Sequence, residues 1–172
     1  MQIKTIDTGY FGQNAYVLIK DDECLVIDPG NNYEEIAKNI ADNKLLGVLL
    51  THSHFDHIGA LEEIVDNYQV PVYKHSNLKE GKLSLGSFLL EVIYTPGHSK
   101  DSITYFFPKE KTMFTGDFLF ADDIGRTDLE GGSMKEMQES LAKIFKYPLD
   151  TKIYPGHEET STLEREEKNH KY

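Results

Sequence analysis

The segment THSHFDH (residues 51–57) concentrates side chains that bind metal ions, and it directly follows a short apolar run. His52 and His54 are two positions apart, so in an extended segment both rings project in the same direction. Asp56 and His57 then turn towards the start of the next helix, where they can face a second point nearby. The pattern therefore predicts two neighbouring groups of metal ligands at the end of a buried strand.

Three more candidate ligands follow glycines at the ends of predicted strands. His98 follows Pro-Gly, Asp117 follows Thr-Gly, and His157 again follows Pro-Gly. Proline and glycine fix sharp turns, so each of these side chains has a defined place. Ligands of α/β sheets bind beyond the carboxyl ends of the strands. We therefore expect four strand ends to bring these three residues and segment 51–57 together.

The candidate donors are imidazoles and carboxylates, without a thiolate, which suits zinc, iron or manganese and does not separate them. Seven donors exceed the four that one tetrahedral zinc takes. Two metal ions about 3.5–4 Å apart and bridged by one carboxylate account for all seven. His75 and His170 lack the strand-end pattern, and we expect both on the surface. The seven donors are His52, His54, Asp56, His57, His98, Asp117 and His157.

Length and composition exclude several other classes of protein. A chain of 172 residues predicts a single domain, residues 1–172. Its formal net charge of -11 argues against a nucleic-acid partner. The single Cys24 excludes an internal disulfide framework and cysteine-based zinc fingers. The sequence has no signal-peptide pattern and no apolar stretch approaching ~18 residues, so we expect a cytoplasmic protein without a membrane partner.

Hydrophobic periodicity predicts a layered α/β protein and leaves the order of its layers open. The predicted strands are Gln2–Asp7, Ala15–Ile19, Cys24–Ile27, Gly47–Leu50, Val70–Tyr73, Phe88–Ile93, Ile103–Phe107, Thr112–Phe114 and Ile153–Tyr154. The predicted helices are Tyr33–Asn43, a second with its apolar positions between Ile58 and Tyr68, a third that starts at the capping box Ser133–Glu136, and a charged C-terminal helix capped by residues 161–164.

Five segments, in order along the chain, resemble the metallo-β-lactamase superfamily and within it the small glyoxalase II-like hydrolases: IDPG (27–30), THSHFDH (51–57), TPGH (95–98), TGD (115–117) and PGH (155–157). The resemblance covers nearly the whole chain. It implies a four-layered αββα sandwich with the metal site at one edge of the two sheets. It also implies a binuclear centre, with His52, His54 and His98 at the first metal, Asp56, His57 and His157 at the second, and Asp117 as the bridge.

The resemblance implies hydrolysis of a thioester, an acylated low-molecular-weight thiol such as a hydroxyacylglutathione. Two divalent ions are implied, zinc in preference to iron or manganese, and they would make hydroxide available at neutral pH. Asp56 would orient that hydroxide or take its proton, in addition to its role as a ligand. Asp28 would either fix the ring of a ligand histidine or serve only as a turn residue at the strand end.

The segment IGRTDL (124–129) resembles bacterial single-domain glyoxalase II-like proteins, and a close variant occurs in persulfide dioxygenases. A mononuclear-iron persulfide dioxygenase is therefore the alternative function. A lactone or β-lactam hydrolase is less favoured, since the sequence has no secretion signal. Arg126 would either bind a substrate carboxylate or pair with Asp122, Asp123 or Asp128. The tyrosines that glyoxalase II places near its substrate correspond to Asp128 and Glu159, so the resemblance does not imply those two contacts to glutathione here.

Overall fold

Two mixed β-sheets frame the protein in a computed structural model that describes residues 1–9 and 11–170. The predicted domain 1–172 also includes Tyr10, Lys171 and Tyr172, which lie outside the described residues. The first sheet has the order β1 (Gln2–Asp7), β2 (Asn14–Lys20), β3 (Glu23–Ile27), β4 (Lys44–Leu49), β5 (Val72–Tyr73). The second contains β6 (Gly81–Leu85), β7 (Phe88–Tyr94), β8 (Ile103–Phe107), β9 (Thr112–Gly116), β10 (Lys152–Pro155) and β11 (Ser161–Thr162), in the order β11-β10-β9-β8-β7-β6.

Strands β2 and β3 bury apolar side chains on both faces, which requires cover on both sides of the sheet. Successive side chains of a strand point to opposite faces, so Val17 packs in one core and the neighbouring Leu18 in another. In the same way Val26 faces the first core and Leu25 the second. The second core also contains apolar residues of β7, β8 and β9, so it lies between the two sheets.

Four helices cover the outer faces of the sheets in the described part of the chain: α1 (Tyr33–Ile40), α2 (Leu61–Tyr68), α3 (Met134–Ile144) and α4 (Leu163–Asn169). The buried residues of α1 and α2 pack on the first sheet, and those of α3 and α4 pack on the second. The layers are therefore helix, sheet, sheet, helix, and the predicted αββα sandwich is confirmed. None of the helices within the described residues has the length and apolar character needed to cross a bilayer.

Several element boundaries differ from the prediction. Helix α1 ends at Ile40 instead of Asn43, because Ala41 leaves the helical region with φ +51° and the chain turns into β4. Strand β5 is limited to Val72–Tyr73. Strands β6 and β11 were not predicted, because β6 alternates polar residues on a half-exposed sheet edge and β11 has two residues.

The two predicted helix caps have different outcomes. Ser133 caps α3 as predicted, since its hydroxyl accepts a hydrogen bond from the Glu136 amide at 3.3 Å. In α4 the cap is Thr162, which accepts from the Arg165 amide. The preceding Ser161 is not the cap because it pairs with β10 and its hydroxyl donates to Glu166.

The two histidines expected on the surface are more enclosed than predicted. The His75 ring packs against Tyr94 with the ring centres 4.4 Å apart. Only 9% of the His170 side chain is exposed, and its Nε2 lies 3.5 Å from the buried carboxylate of Glu166. Tyr94 of β7 packs on the His75 ring, whereas His170, at the C-cap of α4, lies beside Glu166 of the same helix.

Candidate metal centre

The loop after β4 carries four of the seven predicted ligands. The single-turn 3-10 helix Phe55–His57 changes the direction of this loop, so Asp56 and His57 face a different point from the two preceding histidines. The turn packs closely on the loop after β3, where a Cβ at Gly30 would lie 2.0 Å from the carbonyl oxygen of Asp56. Glycine at this position is what lets the two loops approach.

The ends of β9 and β10 meet beside this loop. The Gly156 amide donates to the Gly116 carbonyl at 2.8 Å, which places the following residues, Asp117 and His157, side by side. A Cβ at Gly156 would lie 2.3 Å from Asp117 Oδ1 and 2.6 Å from His57 Cε1. The Pro-Gly and Thr-Gly turns therefore have the positioning role that the sequence predicts.

The His98 loop is fixed by α3. The Ser133 amide donates to the Gly97 carbonyl at 2.8 Å, and the buried Ser140 hydroxyl donates to the Pro96 carbonyl at 2.7 Å. These contacts fix both backbone positions that precede His98. Helix α3, whose N-terminal cap the sequence predicts, therefore sets the position of His98.

The first group of donors contains His52, His54 and His98, whose nearest nitrogens all lie within 4.8 Å of one another. His98 Nε2 is 3.0 Å from His54 Nδ1. Burial lowers the pKa of His52 well below its usual value and also lowers the pKa of His98. These two rings are therefore neutral at neutral pH and present lone pairs, which is the form that binds a metal ion.

The second group contains Asp56, His57, Asp117 and His157, again within 4.8 Å of one another. His157 Nε2 lies 3.2 Å from Asp56 Oδ2 and 3.4 Å from Asp117 Oδ2. Burial lowers the pKa of His157, but its hydrogen bonds to Asp117 and Asp56 raise it to about 10. The same hydrogen bond from His157 lowers the pKa of Asp56, so this carboxylate is ionised at neutral pH.

Asp117 contacts both groups. Its Oδ1 is 3.1 Å from His57 Nε2 in the second group. Its Oδ2 is 3.7 Å from His98 Nε2 and 4.0 Å from His52 Nε2 in the first. The structure therefore brings all seven predicted donors together in two adjoining groups that meet at Asp117.

Five buried side-chain polar atoms lack a hydrogen-bond partner within the described residues, and three of them lie in this cluster: His52 Nε2, His57 Nε2 and Asp117 Oδ1; the other two are Thr151 Oγ1 and His170 Nε2. An unsatisfied buried polar group costs about 1–3 kcal/mol. Divalent cations that take nitrogen and oxygen ligands would satisfy the three atoms of the cluster. The residues present therefore fit a metal centre, although their role as ligands stays a prediction.

Each of three candidate ligands uses its Nδ1 for a contact outside the cluster. Asp28 Oδ2 lies 3.0 Å from His57 Nδ1. Backbone carbonyls accept from the other two, Arg126 from His98 at 2.9 Å and Phe11 from His157 at 3.0 Å. Such partners orient the rings so that Nε2 faces the metal site. The two carbonyls were not predicted, because every residue has one and side-chain patterns do not mark them.

Asp28 has the positioning role that the sequence left open. It accepts hydrogen bonds from the Thr51 amide at 2.8 Å and the Thr51 hydroxyl at 2.6 Å. With the contact to His57, the carboxylate joins the end of β3 to both ends of the ligand loop. It is buried, with 2% of its surface exposed. Its turn conformation, with φ +48°, accompanies this role.

A groove of about 620 Å³ opens beside the cluster. Arg126 lies at this groove but also forms two parallel hydrogen bonds to Asp128, 2.8 and 2.9 Å long. Asp122 pairs with Arg165 instead. Of the three predicted acidic partners, the structure therefore shows Asp128. The groove is lined by Phe11, Gly12, His98, Asp117, Phe120, Asp123, Ile124, Gly125, Arg126, His157 and Glu158.

Comparison with known proteins identifies the family. The model of the metallo-beta-lactamase superfamily matches residues 8–83 and 78–157. The chain belongs to the metallo-β-lactamase superfamily. Within the superfamily, the probable metallo-hydrolase YqgX of Bacillus subtilis (strain 168) is 36% identical over 98% of this chain and 96% of its own length. The hydroxyacylglutathione hydrolase of Hahella chejuensis (strain KCTC 2396) is 38% identical over 87% of this chain and 63% of its own length.

Three solved structures share the fold. BLEG-1 B3 metallo-β-lactamase superposes with a TM-score of 0.93 and 34% identity over 97% of both chains. TTHA1623 in a di-iron-bound form gives 0.89 and 28% over 96% of this chain and 98% of that one. ETHE1 from Myxococcus xanthus gives 0.88 and 26% over 98% and 83%. The predicted family and fold are confirmed.

The contacts of Asp28 generate a prediction about metal affinity. Asp28→Asn replaces one carboxylate oxygen by a donor, so it cannot hold both Thr51 and the His57 ring as the native residue does. We expect a 10–100-fold loss of metal affinity, measured by competition with a coloured chelator. Asp42→Asn, at an exposed turn, is the matched control and should leave the affinity unchanged. Equal affinities in the two variants would show that Asp28 is only a turn residue.

Proposed function

We propose that this protein hydrolyses a thioester, an acylated low-molecular-weight thiol such as a hydroxyacylglutathione. The observation that carries the proposal is the placement of Asp117 between two groups of donors beside an open groove. The similarity to a hydroxyacylglutathione hydrolase over 87% of this chain supports the substrate class. Because the chain spans 63% of that enzyme's length, the identity of the thiol is part of the proposal.

The first metal would be held by His52, His54 and His98, and the second by Asp56, His57 and His157, with Asp117 between them. When bound, the two ions lower the pKa of water towards about 7 and so make hydroxide available at neutral pH. Zinc is our first assignment, with iron or manganese as alternatives, since the donor set suits all three. The di-iron form of TTHA1623 supports iron as an occupant of this fold.

Asp56 is the group placed to take a proton from the attacking water. Its carboxylate is ionised at neutral pH, because the contact with His157 lowers its pKa and a bound cation would favour the ionised form as well. The side chain is 13% exposed, so it can contact a water molecule. The leaving thiolate needs no dedicated acid, because thiol pKa values lie near ~8.5. Asp56 therefore combines the role of ligand with that of a general base.

We assign Arg126 to the anionic part of the substrate. Its guanidinium borders the groove and its side chain is 62% exposed. The two hydrogen bonds to Asp128 use Nε and Nη2, which fixes the plane of the guanidinium and leaves Nη1 for a substrate carboxylate. A fixed fork recognises a carboxylate with less loss of side-chain freedom than a mobile one.

Two other activities stay as alternatives. The first is a mononuclear-iron persulfide dioxygenase, because segment 124–129 resembles a variant that occurs in those enzymes. A β-lactam hydrolase is supported by the 34% identity to BLEG-1 B3 metallo-β-lactamase. The presence of two donor groups, instead of one, favours hydrolysis at a binuclear centre over chemistry at a single iron.

A panel assay tests the proposed function. The metal-free protein is reconstituted with zinc, iron or manganese and given acyl thiols, a thiol persulfide and a β-lactam, while oxygen uptake is recorded. We expect anaerobic hydrolysis of at least one acyl thiol, with no oxygen uptake. Oxygen consumption with the persulfide, in the absence of thioester hydrolysis, would establish the dioxygenase instead. Cleavage of the β-lactam alone would establish the other alternative.

The role of Asp56 generates a second prediction. Asp56→Asn removes the base and keeps the size of the side chain, so we expect kcat for thioester hydrolysis to fall by about 10²–10⁴-fold while the circular dichroism spectrum and Tm stay unchanged. Asp66→Asn, at an exposed position of α2, should retain full activity. Near-normal hydrolysis by Asp56→Asn would show that the assigned role is wrong.

A further inference from the structure

The chain between Asp117 and Arg126 forms a short hairpin that borders the groove. Its two sides are joined by a bridge between Leu119 and Ile124. The Phe120 amide also donates to the carbonyl of Asp123 at 2.9 Å. Four residues of the hairpin, 120 and 123–125, line the groove. The position of this hairpin (residues 118–125) therefore determines the shape of one groove wall.

The base of the hairpin is held by the core. Leu119 is fully buried against α3 and α4, and its carbonyl accepts from the Thr115 hydroxyl at 2.8 Å. Gly125 lies so close to Asp117 that a Cβ would be 1.8 Å from the Asp117 carbonyl oxygen. The candidate ligand at the start of the hairpin is therefore fixed independently of the hairpin's tip.

The tip of the hairpin is held by α4. The amide of Asp122 donates to Glu166 Oε2 at 2.9 Å. The carboxylate of Asp122 accepts from Arg165 Nε at 2.8 Å and from the Asn169 side chain. Asp122 has φ +63°, a conformation that costs energy for a residue with a side chain. These contacts to α4 stabilise that conformation.

Glu166 is the buried member of these contacts, with 0% of its surface exposed. Its carboxylate also accepts from the Ser161 hydroxyl and lies 3.9 Å from Arg165 Nε and 3.5 Å from His170 Nε2. A buried carboxylate is costly unless such partners satisfy it. Ser161, Arg165 and His170 belong to β11 and to α4 with its C-cap, so they fix the carboxylate on its own side, and the Asp122 amide is its one partner from the hairpin.

We propose that Glu166 is a positioning residue for substrate binding: it fixes the tip of the hairpin and so holds the wall of the groove in its binding conformation. Glu166 does not line the groove, so it acts through Asp122. The kinetic part of this inference rests on the proposed thioester hydrolysis. Loss of Glu166 removes the buried contact of the tip and leaves it the half-exposed contacts with Arg165 and Asn169, so the wall becomes more mobile and a substrate that binds must restrict that motion. The contacts of the metal cluster and of Asp56 do not involve Glu166. We therefore expect the loss of Glu166 to raise KM and to leave kcat nearly unchanged.

Two substitutions at position 166 separate positioning from bulk stability. Glu166→Leu fills a similar volume but offers no acceptor to the Asp122 amide, whereas Glu166→Gln retains one. We expect Glu166→Leu to raise KM about tenfold, with kcat and metal content within about twofold of the native values, because the lost contact restricts only the wall. Glu166→Gln should stay within about threefold in KM, since an amide oxygen can still accept the hydrogen bond.

Hydrogen exchange measures the same positioning without a substrate. Amides of residues 120–125 should exchange at least about tenfold faster in Glu166→Leu than in the native protein, while those of β8 keep their native rates. Glu164→Leu and Glu164→Gln are the matched controls, because Glu164 lies on the same helix, is exposed and pairs with Lys168. Both control variants should match the native protein in KM and in exchange.

A substitution at a half-exposed position tests the inference even if Glu166→Leu does not fold. Arg165→Met removes the contact to the Asp122 carboxylate from a half-exposed position, and it should raise KM about threefold and speed exchange of the same amides. Unchanged KM in a folded Glu166→Leu or, if that variant does not fold, in Arg165→Met would overturn the inference, as would unchanged exchange. If the native protein hydrolyses no thioester, the proposed function fails, and the exchange result alone decides whether Glu166 holds the hairpin.

Discussion

The contacts of the largely enclosed carboxylate of Asp117, whose side chain is 11% exposed, are the interaction on which the rest of the site depends. This carboxylate contacts His57 on one side and His98 and His52 on the other, so it can bridge two cations only if four strand ends converge within a few ångströms. The αββα sandwich provides that convergence, because two sheets packed through one apolar core bring the ends of their strands to a common edge. The hydrogen bond between Gly156 and Gly116 then joins the ends of β10 and β9.

A second set of contacts fixes the orientation of three of the histidine rings. Asp28, the Phe11 carbonyl and the Arg126 carbonyl each engage the Nδ1 of one histidine. These partners come from segments of the chain far from the histidines in sequence. Two of these three segments also border the groove, since Phe11 and Arg126 line it. Orientation of the cluster and shape of the substrate site are therefore built from the same loops, and α4 extends this support to the hairpin tip.

The sequence predicts most of this site because its signals are local. Ligand types and the Pro-Gly turns before His98 and His157 are visible at single positions, and periodicity locates the buried strands. The contacts that depend on tertiary structure could not be predicted. The burial of Glu166, for example, follows from the packing of α4 on the hairpin. Strand β6 was not predicted for the same reason: it is a strand because it pairs with β7, and its sequence lacks the apolar content typical of a strand. The pairing of Arg126 with Asp128 is local, and the sequence left it as one of three open choices.

Titration of the metal-free protein with zinc, iron or manganese tests directly whether the active centre holds two metal ions. Hydrolysis of the best acyl thiol is followed as each equivalent of metal is added, with bound metal counted per chain. We expect bound metal to reach two ions per chain and activity to rise until the second is bound, because both donor groups and Asp117 between them are needed. Saturation of binding and activity at one ion per chain would contradict this expectation.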